Sequence, residues 1–355
     1  MCDISIGCAW KTSKELSLQE TQEALELISN VLCVAPLRIS FVGGGTDISS
    51  FFRLNEGFVV SSSITKYVYV HAKIHDDSFG EKYRIAYSKV EHADEVSAID
   101  NQIVRSCIQF LEIDFPLQIS TLSDLPAGTG LGSSSSFTVA LLHALHALKG
   151  ERPTKHQLAE EACQVEIEIM KQPIGKQDQY AAAFGGLNKF TFACDNSVSV
   201  SPIRISSANL RNLERRTTLF WTGMKREASE ILRDQHSRRE LNEAKLIQMA
   251  KLAKEFSNSL EQVNIDWNKL RTLVTASWAL KTSLSTLISN GYIDEIMGKL
   301  EDQYAPGIKL LGAGQGGFIL LLGPNTFSTP RGEWQRLKYF KPTFDLEGSR
   351  IISQF

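Results

Sequence analysis

The segment LPAGTGLGSSSSF, residues 125–137, decides how the rest of the chain is interpreted. By composition it is a flexible glycine- and serine-rich linker. It leads directly, however, into an apolar run that predicts a buried helix over residues 137–149. A glycine-rich loop that enters a helix gathers free backbone N–H groups and the positive end of the helix dipole at one point. The segment therefore favours an anion site, with a serine-rich N-cap on an ordinary helix as the alternative. No Gly-Lys-Ser/Thr follows the glycines, so it is not a Walker A loop.

Composition and charge narrow the class of protein. The chain has 355 residues, 43% of them hydrophobic and 22% charged, which suits a globular protein of two domains. A formal net charge of -2 argues against nucleic acid as a partner. No apolar run is long enough to cross a bilayer, so no membrane partner is expected. The N-terminal segment lacks a signal-peptide pattern, and the cysteines are scattered without a C-x-x-C pair. We therefore expect reduced thiols and a cytoplasmic location.

Periodicity divides the chain into an N-terminal extension and two larger parts. Residues 1–30 carry a capping box and an apolar stripe, which predict a helix packed on the body or on a partner subunit. Residues 31–205 predict strands interrupted by helices at 137–149 and 154–171, and residues 206–355 are richer in helices. Because strands and helices mix without a βαβ rhythm, we predict an α+β fold with a domain boundary between these two parts. The predicted strands are 37–42, 58–64, 67–74, 83–88, 115–120, 186–193, 198–205 and 349–354, and the later helices are 227–258, 273–288 and 332–340.

A second glycine-rich segment, GAGQGGF at residues 312–318, satisfies the G-x-G-x-x-G spacing. A dinucleotide-binding fingerprint requires a helix after its glycines. Here FILLLG, residues 318–323, predicts a strand, so a dehydrogenase is disfavoured. The segment predicts either a glycine-rich hairpin or a backbone that approaches a ligand closely.

Two acidic residues are associated with the predicted helix at 154–171. That helix ends before Pro173, and Asp178 is then predicted to lie on a turn before an alanine-rich element. A carboxylate placed there can act as general base toward a substrate hydroxyl. A capping or ion-paired aspartate is the alternative. Glu166 lies beside the apolar stripe of the helix, where a carboxylate needs a metal or another partner. A solvated helix edge is the alternative for Glu166.

Arg38 and Asp47 bracket a triple glycine. In LRISFVGGGTD, residues 37–47, apolar and polar residues alternate, so Arg38 is predicted to lie on the polar face of a strand that ends at the glycines. An arginine and an aspartate on either side of a tight turn suit a polar ligand. They suit an internal ion pair equally well.

The order of these segments resembles one family. APLRISFVGGGTD, LPAGTGLGSSSS and KLLGAGQGGF resemble the three motifs of the galactokinase, homoserine kinase, mevalonate kinase and phosphomevalonate kinase (GHMP) small-molecule kinases. The resemblance covers nearly the whole chain from about residue 33. It implies an α+β fold with a ribosomal-protein-S5-like N-terminal domain, a ferredoxin-like C-terminal domain and a site between them. It also implies ATP and Mg²⁺ as cofactors.

The resemblance implies a role for each motif residue. Asp178 corresponds to the catalytic base, and Arg38 to the basic residue that supports the reacting hydroxyl and the transferring phosphoryl group. Glu166 precedes Asp178 by twelve residues, as the magnesium-binding glutamate does in galactokinase-like members, and Ser134 is a second magnesium ligand. The residues expected to contact the ATP phosphates are Pro126, Gly128, Gly130, Leu131, Gly132, Ser133, Ser134 and Ser135. Those expected to contact the substrate are Gly44, Gly45, Thr46, Asp47, Gly312, Gly314, Lys176 and Arg226.

Within the family, PLRISFVGGGTD, PIGKQDQYAAAFGGLN and WALKTSLS most resemble the heptose 7-phosphate kinases. That resemblance implies phosphorylation of the anomeric hydroxyl of D-glycero-D-manno-heptose 7-phosphate, for nucleotide-heptose and surface polysaccharide synthesis. The partner is then a small sugar phosphate, and a homodimer is compatible with it. A phosphorylated substrate requires a basic subsite, for which Lys176, Lys225 and Arg226 are the candidates.

Two departures from the family motifs affect these expectations. GGGTD replaces the Gly-Glu-His-Thr-Asp of galactokinase, which disfavours galactose. Gln315 stands where the family usually has glycine, and glutamine tolerates positive φ less well. The alternatives are a sugar-1-kinase that acts on an unphosphorylated sugar such as fucose, and a catalytically silent sugar or nucleotide sensor. The intact set of Arg38, Ser134, Glu166 and Asp178 argues against the sensor.

Overall fold

Two long antiparallel strands form the centre of the larger of two sheets. β1 (Asn30–Val42) pairs with β2 (Gly57–Ile74) along almost its whole length. The sequence predicted separate strands at 58–64 and 67–74, but β2 continues unbroken between them. The computed structural model describes residues 28–76, 80–225, 231–234, 238–305, 307–324 and 337–355. Nearly all of the predicted N-terminal extension and the beginning of the predicted helix at 332–340 lie outside these ranges.

The larger sheet holds eight strands. Besides β1 and β2, its strands are β3 (Tyr83–Ala86), β4 (Val90–Ala93), β5 (Leu117–Ser123), β6 (Leu187–Phe192), β7 (Val198–Pro202) and β12 (Arg350–Gln354). The order is β12-β1-β2-β5-β3-β4, and β6 pairs with both β2 and β7. The pairings are antiparallel except that between β3 and β5. The sequence predicted each of these strands except β4.

Helices of the first half of the chain pack on this sheet. α3 (Ser133–Leu148) lies against β1 and β2 with most of its side chains buried, as its apolar run predicts. It begins at Ser133 rather than at residue 137, because the serines form its first turn. α4 (Lys155–Cys163) begins at the predicted capping box, where the Gln157 N–H donates to Thr154 Oγ1 at 3.1 Å. The other helical elements here are α1 (Ser49–Phe52), a 3₁₀ turn (Val96–Ala98), α2 (Gln102–Phe110), a π-helical segment after α4 (Gln164–Ile169) and α5 (Gln177–Phe184).

A second, four-stranded antiparallel sheet consists of β8 (Thr217–Trp221), β9 (Gly307–Leu310), β10 (Phe318–Leu322) and β11 (Tyr339–Phe340). Its strand order is β11-β8-β10-β9. The prediction of a glycine turn between two apolar segments is confirmed by β9 and β10. The helix predicted at 332–340 is wrong at its end, where Tyr339 and Phe340 pair with β8. The helices of this part are α6 (Ser207–Arg216), α7 (Arg239–Leu260), α8 (Trp267–Thr282) and α9 (Gly291–Tyr304).

Contacts join the two parts of the chain. The Phe41 ring on β1 stacks on Phe256 of α7 with centroids 5.7 Å apart. The last strand, β12, returns to pair with β1 in the larger sheet. The predicted boundary falls between β7 and α6, and the division into domains stays a prediction.

The length and polarity of the helices and the state of the cysteines complete the description of the fold. Within the described ranges, every helix is too short or too polar to span a bilayer. Cys33, Cys107 and Cys163 are buried free thiols, and Cys194 is an exposed one.

Candidate active site

Arg38 and Asp178 form a bidentate ion pair. Nε and Nη2 of Arg38 donate to Oδ1 and Oδ2 of Asp178 at 2.7 and 2.6 Å. Nη1 of Arg38 donates to the Gly130 carbonyl at 2.7 Å, so one guanidinium joins β1, α5 and the glycine-rich loop. Arg38 is buried, whereas 24% of the Asp178 side chain is exposed. Asp178 therefore stays accessible while Arg38 fixes its orientation.

Asp178 lies on a helix and not on a turn. The prediction of a turn is wrong because QDQYAAAF forms α5, with Asp178 in its first turn. Three consecutive alanines of α5 are buried, so packing as well as helix propensity stabilises this short element. Arg38 pairs with Asp178 rather than with Asp47, which the sequence allowed as its ion-pair partner.

The loop before α3 is bound to β1. The Arg38 N–H donates to the Leu131 carbonyl at 3.0 Å, and Leu131 itself is fully buried. Gly132 has φ of 75° and lies so close to the ion pair that a Cβ there would be 3.2 Å from Asp178 Oδ2. The loop therefore holds the N-terminus of α3 beside the carboxylate. This arrangement supports the anion-site interpretation over the flexible linker.

Glu166 is buried at the same place. It lies in the π-helical segment and is 1% exposed, which excludes a solvated helix edge. Its carboxylate oxygens accept hydrogen bonds from Ser134 Oγ at 2.9 Å and from Gln179 Nε2 at 2.6 Å. Burial raises the pKa of Glu166, and hydrogen bonds from Ser135, Ser134 and Gln179 offset part of that rise. The π-helical turn is a feature often found at functional sites.

Asp47 is held at the triple glycine. Its Oδ1 accepts the Gly45 N–H at 2.8 Å, and its Oδ2 accepts the Gln177 N–H at 3.2 Å. Burial raises the pKa of Asp47, the Gly45 N–H opposes this, and the charge of Asp178 raises it further. Gly175 leaves the room this carboxylate needs, because a Cβ there would lie 2.0 Å from Oδ2.

These groups open into one cavity of about 600 Å³. It brings together predicted residues from β1, the glycine-rich loop, the π-helical segment, α5 and the β9–β10 turn. The predicted residues that line it are Arg38, Gly44, Gly45, Asp47, Gly128, Gly130, Gly132, Ser133, Ser134, Ser135, Glu166, Asp178 and Gly312.

Some residues predicted to contact a ligand interact with other parts of the protein instead. The Thr46 hydroxyl hydrogen-bonds the backbone of Gly43 and Phe58, and so stabilises the turn. Lys176 directs its ammonium to the Asn196 carbonyl at 3.2 Å and to Glu160 at 3.5 Å. Their positions give no support to the predicted substrate contacts. The same holds for Gly314, which packs on the backbone of Ile288. Among the predicted ATP contacts, Pro126 is exposed and Leu131 lies in the core, and neither lines the cavity. Arg226 lies outside the described residues.

Other lining residues were not predicted from the sequence. Lys281 of α8 and Lys309 of β9 are buried lysines that line the cavity. A lysine inside the apolar run GIKLLGA, residues 307–313, was the available signal for Lys309. No comparable signal marked the remaining set, which consists of Ser40, Ile48, Tyr87, Asn101, Gln102, Ile103, Met170, Gln172, Ile174, Gly175, Gln177, Leu232 and Ala313.

The donor set is compatible with magnesium. Ser134 and Glu166 supply a hydroxyl and a carboxylate oxygen within 2.9 Å of each other, and hard cations prefer oxygen ligands. Within the described ranges, no three His, Cys, Asp or Glu side chains converge as a ready metal cluster. Mg²⁺ is usually held by one or two protein ligands together with substrate phosphates, so two protein oxygens are enough.

Comparisons with known proteins agree with this geometry. A family model described as the GHMP kinases N terminal domain matches residues 101–186. The D-glycero-alpha-D-manno-heptose 7-phosphate kinase of Campylobacter jejuni is 30% identical over 298 residues, covering 80% of this chain and 86% of that protein. A D-glycero-D-manno-heptose 1-phosphate kinase from Bacteroides thetaiotaomicron has a similar fold, with a TM-score of 0.70 and 22% identity over 91% of this chain and 99% of that one. The structure of Lactococcus lactis galactokinase in complex with galactose is also similar, with a TM-score of 0.71 and 18% identity. The match covers 96% of this chain and 100% of that one.

The fold and the site thus define a small-molecule kinase. The chain belongs to the GHMP kinase family. It is an ATP-dependent phosphotransferase with the α+β fold that the sequence motifs predicted.

Proposed function

We propose that this protein transfers the γ-phosphoryl group of ATP to the anomeric C1 hydroxyl of D-glycero-D-manno-heptose 7-phosphate. The product serves nucleotide-heptose and surface polysaccharide synthesis, and an enzyme with this role belongs in the cytoplasm. The heptose 7-phosphate kinase of Campylobacter jejuni, at 30% identity, supports the choice of sugar. The observation that carries the proposal is the Arg38–Asp178 pair beside the N-terminus of α3, inside one cavity.

The ATP phosphates bind at the glycine-rich loop in this proposal. Ser133, Ser134 and Ser135 form the first turn of α3, where backbone N–H groups have no intrahelical acceptor. These groups and the helix dipole favour an anion. Ser133, Ser134 and Ser135 all line the cavity, so their N–H groups and hydroxyls are at hand for the β- and γ-phosphates.

Asp178 accepts the proton of the reacting hydroxyl. Phosphoryl transfer asks a protein mainly for positioning and for stabilisation of charge. Arg38 provides the positioning, because it fixes both oxygens of Asp178. Its positive charge stabilises the phosphoryl group during transfer. The carboxylate of Asp47 and the backbone of Gly44 and Gly45 hold the sugar hydroxyls.

Ser134 and Glu166 would hold Mg²⁺ against the ATP phosphates. When bound, this ion neutralises charge on the phosphates. Gln179 keeps the Glu166 carboxylate in place by its hydrogen bond of 2.6 Å. Burial raises the pKa of Glu166, and the positive charge of a bound cation would oppose that rise.

The test begins with ATP consumption across hexoses, fucose, heptoses and heptose phosphates, with the phosphorylated position of each product identified. We expect heptose 7-phosphate to be the preferred acceptor, with the new phosphate on C1. Activity on fucose and none on heptose 7-phosphate would refute this sugar assignment and leave a GHMP kinase with another acceptor.

Asp178→Asn tests the proposed base. The amide cannot accept the proton, so turnover should fall on the order of 100-fold or more while ATP binding is kept. Steady-state kinetics and ATP titration measure the two effects. Asp302→Asn, at an exposed position of α9, is the matched control and should keep wild-type turnover. Turnover close to wild type in Asp178→Asn would remove this residue from the role of base.

A further inference from the structure

Two buried lysines enter the cavity from the second part of the chain. Lys281 lies in the last turn of α8 and Lys309 on β9. They are 8% and 5% exposed, and both line the cavity that contains Arg38 and Asp178. Buried lysines are rare in proteins, and these two place positively ionisable groups at the wall of the cavity. This position makes the two side chains candidates for contact with an anionic part of a ligand.

Within the described residues, two of the three N–H donors of the Lys309 ammonium have acceptors. It donates to the Ser40 carbonyl at 2.8 Å and to the Phe41 carbonyl at 3.2 Å, and an ammonium has three N–H donors. Burial lowers the pKa of Lys309 well below its usual value, and the charges of Lys281 and Arg38 lower it further. An anion bound beside Lys309, Lys281 and Arg38 would favour the charged form of Lys309.

Two unpartnered polar atoms lie at the same cavity. Within the described part of the chain, Ser40 Oγ and Gln177 Oε1 are buried and have no hydrogen-bond partner. Both residues line the cavity and are less than a tenth exposed. Buried polar atoms of native proteins are nearly always hydrogen-bonded. Ser40 can donate to a phosphate oxygen, and Gln177 Oε1 can accept from a sugar hydroxyl.

Lys309 contacts β1 at a point beyond Arg38, which separates the lysine from the reacting group. Its acceptor Ser40 follows Arg38 by two residues, and a strand advances about 3.3 Å per residue, so the two positions are about 7 Å apart. Arg38 holds Asp178, where the reacting hydroxyl binds in the proposed function. This separation suits a substrate whose anionic group is at the end opposite to its reacting hydroxyl.

We propose that Lys281, Lys309 and Ser40 form a subsite for the phosphate that a sugar phosphate substrate already carries. The inference rests on the proposed function and names the residues that select a phosphorylated sugar. It replaces the earlier candidates, because Lys176 is engaged with Asn196 and Glu160, and Lys225 is exposed outside the cavity.

The experiment compares two acceptors in four proteins. Wild type, Lys281→Met, Lys309→Met and the control Lys251→Met, at an exposed position of α7, are assayed with heptose 7-phosphate and with the unphosphorylated heptose. The reported quantity is the ratio of kcat/KM for the two sugars at saturating ATP. This ratio does not depend on the fraction of enzyme that is folded, so a variant that folds poorly still gives an answer.

We expect wild type and Lys251→Met to prefer the phosphorylated sugar. Each cavity lysine variant should lower kcat/KM for heptose 7-phosphate by roughly 10- to 100-fold, the size of a lost charge-assisted contact, with little change for heptose. The KM for ATP should not change. An equal loss for both sugars, or a raised KM for ATP, would place the lysines at the transferring phosphoryl group and overturn the subsite.

A binding measurement separates this proposal from the proposed function. Heptose 7-phosphate is titrated calorimetrically into wild type, Lys281→Met and Ser40→Ala, without turnover. Binding by wild type that both variants weaken supports the subsite even if no C1 phosphate forms. Turnover of both sugars with equal kcat/KM would leave a sugar kinase without this subsite, and an absence of binding by wild type would overturn the subsite directly.

Discussion

Residues 125–132 and residues 312–317 are both glycine-rich, and both contain residues with positive φ, but their neighbours differ. In the first segment, Gly132 lies beside the side chains of Arg38 and Asp178. In the second, Gly317 lies against the backbone of Thr129, where a Cβ would be 2.3 Å from the carbonyl oxygen. Gly128, Gly130 and Gly132 of the first segment line the cavity. The second segment reaches the cavity only at its start, with Gly312 and Ala313, and at Gly317 the missing Cβ lets two stretches of backbone touch.

The second segment supports the first. The Phe318 N–H donates to the Thr129 carbonyl at 3.1 Å, directly after the glycines of residues 312–317. Thr129 is itself part of the loop that contains Gly130, whose carbonyl accepts from Arg38. The comparison shows that a shared composition does not mean a shared role, since what a glycine is for depends on what lies next to it.

The largest effect is expected from Gly317→Ala. Its φ of 99° disfavours alanine, and the added Cβ cannot avoid a backbone oxygen 2.3 Å away. The free energy of unfolding should fall by about 3 kcal/mol, measured by equilibrium urea denaturation. Gly298→Ala is the control, because Gly298 lies within α9 with open space around it and should gain up to about 1 kcal/mol. Equal stability of the two variants would contradict the close backbone contact.

A smaller loss of stability, but a loss of turnover, is expected from Gly132→Ala. Gly132 and Gly150 have almost the same φ, 75° and 74°, so alanine should cost each about 1 kcal/mol of folding free energy. Only at Gly132 would the Cβ press on Asp178, 3.2 Å away, whereas Gly150 has nothing within 4 Å. We expect kcat to fall about 10-fold in Gly132→Ala and to stay unchanged in Gly150→Ala, measured where both are folded. The same kcat in both would mean that Gly132 serves only the backbone.

The smallest effect is expected from Gln315→Gly. Gln315 has φ of 59°, which confirms the sequence-based concern that this position requires a left-handed conformation. Glycine removes that strain, so the free energy of unfolding should rise by up to about 1 kcal/mol, measured by the urea midpoint. Asn196→Gly, at φ of 75°, should gain less because asparagine tolerates this region better. A loss of stability in Gln315→Gly would show that the glutamine side chain makes a contact worth more than the strain.

Local patterns in the sequence were sufficient to predict several helices. The apolar run after residue 137 predicted α3, and the capping box at Thr154 predicted the start of α4. These signals depend on residues within one or two helical turns, so no tertiary information is needed. The turn predicted at Asp178 was wrong because α5 is only eight residues long, and a helix of that length owes its stability mainly to packing.

The sequence by itself determined a set of candidate site residues, because the resemblance of its motifs to those of the GHMP kinases selects Arg38, Ser134, Glu166 and Asp178. Only the tertiary structure decided that Arg38 pairs with Asp178 rather than Asp47, and that Lys281 and Lys309 face the same cavity. The reason is physical. Period and turn chemistry act between near neighbours in the chain, but an ion pair across 140 residues forms only when the sheet, α3 and α5 have packed and excluded water.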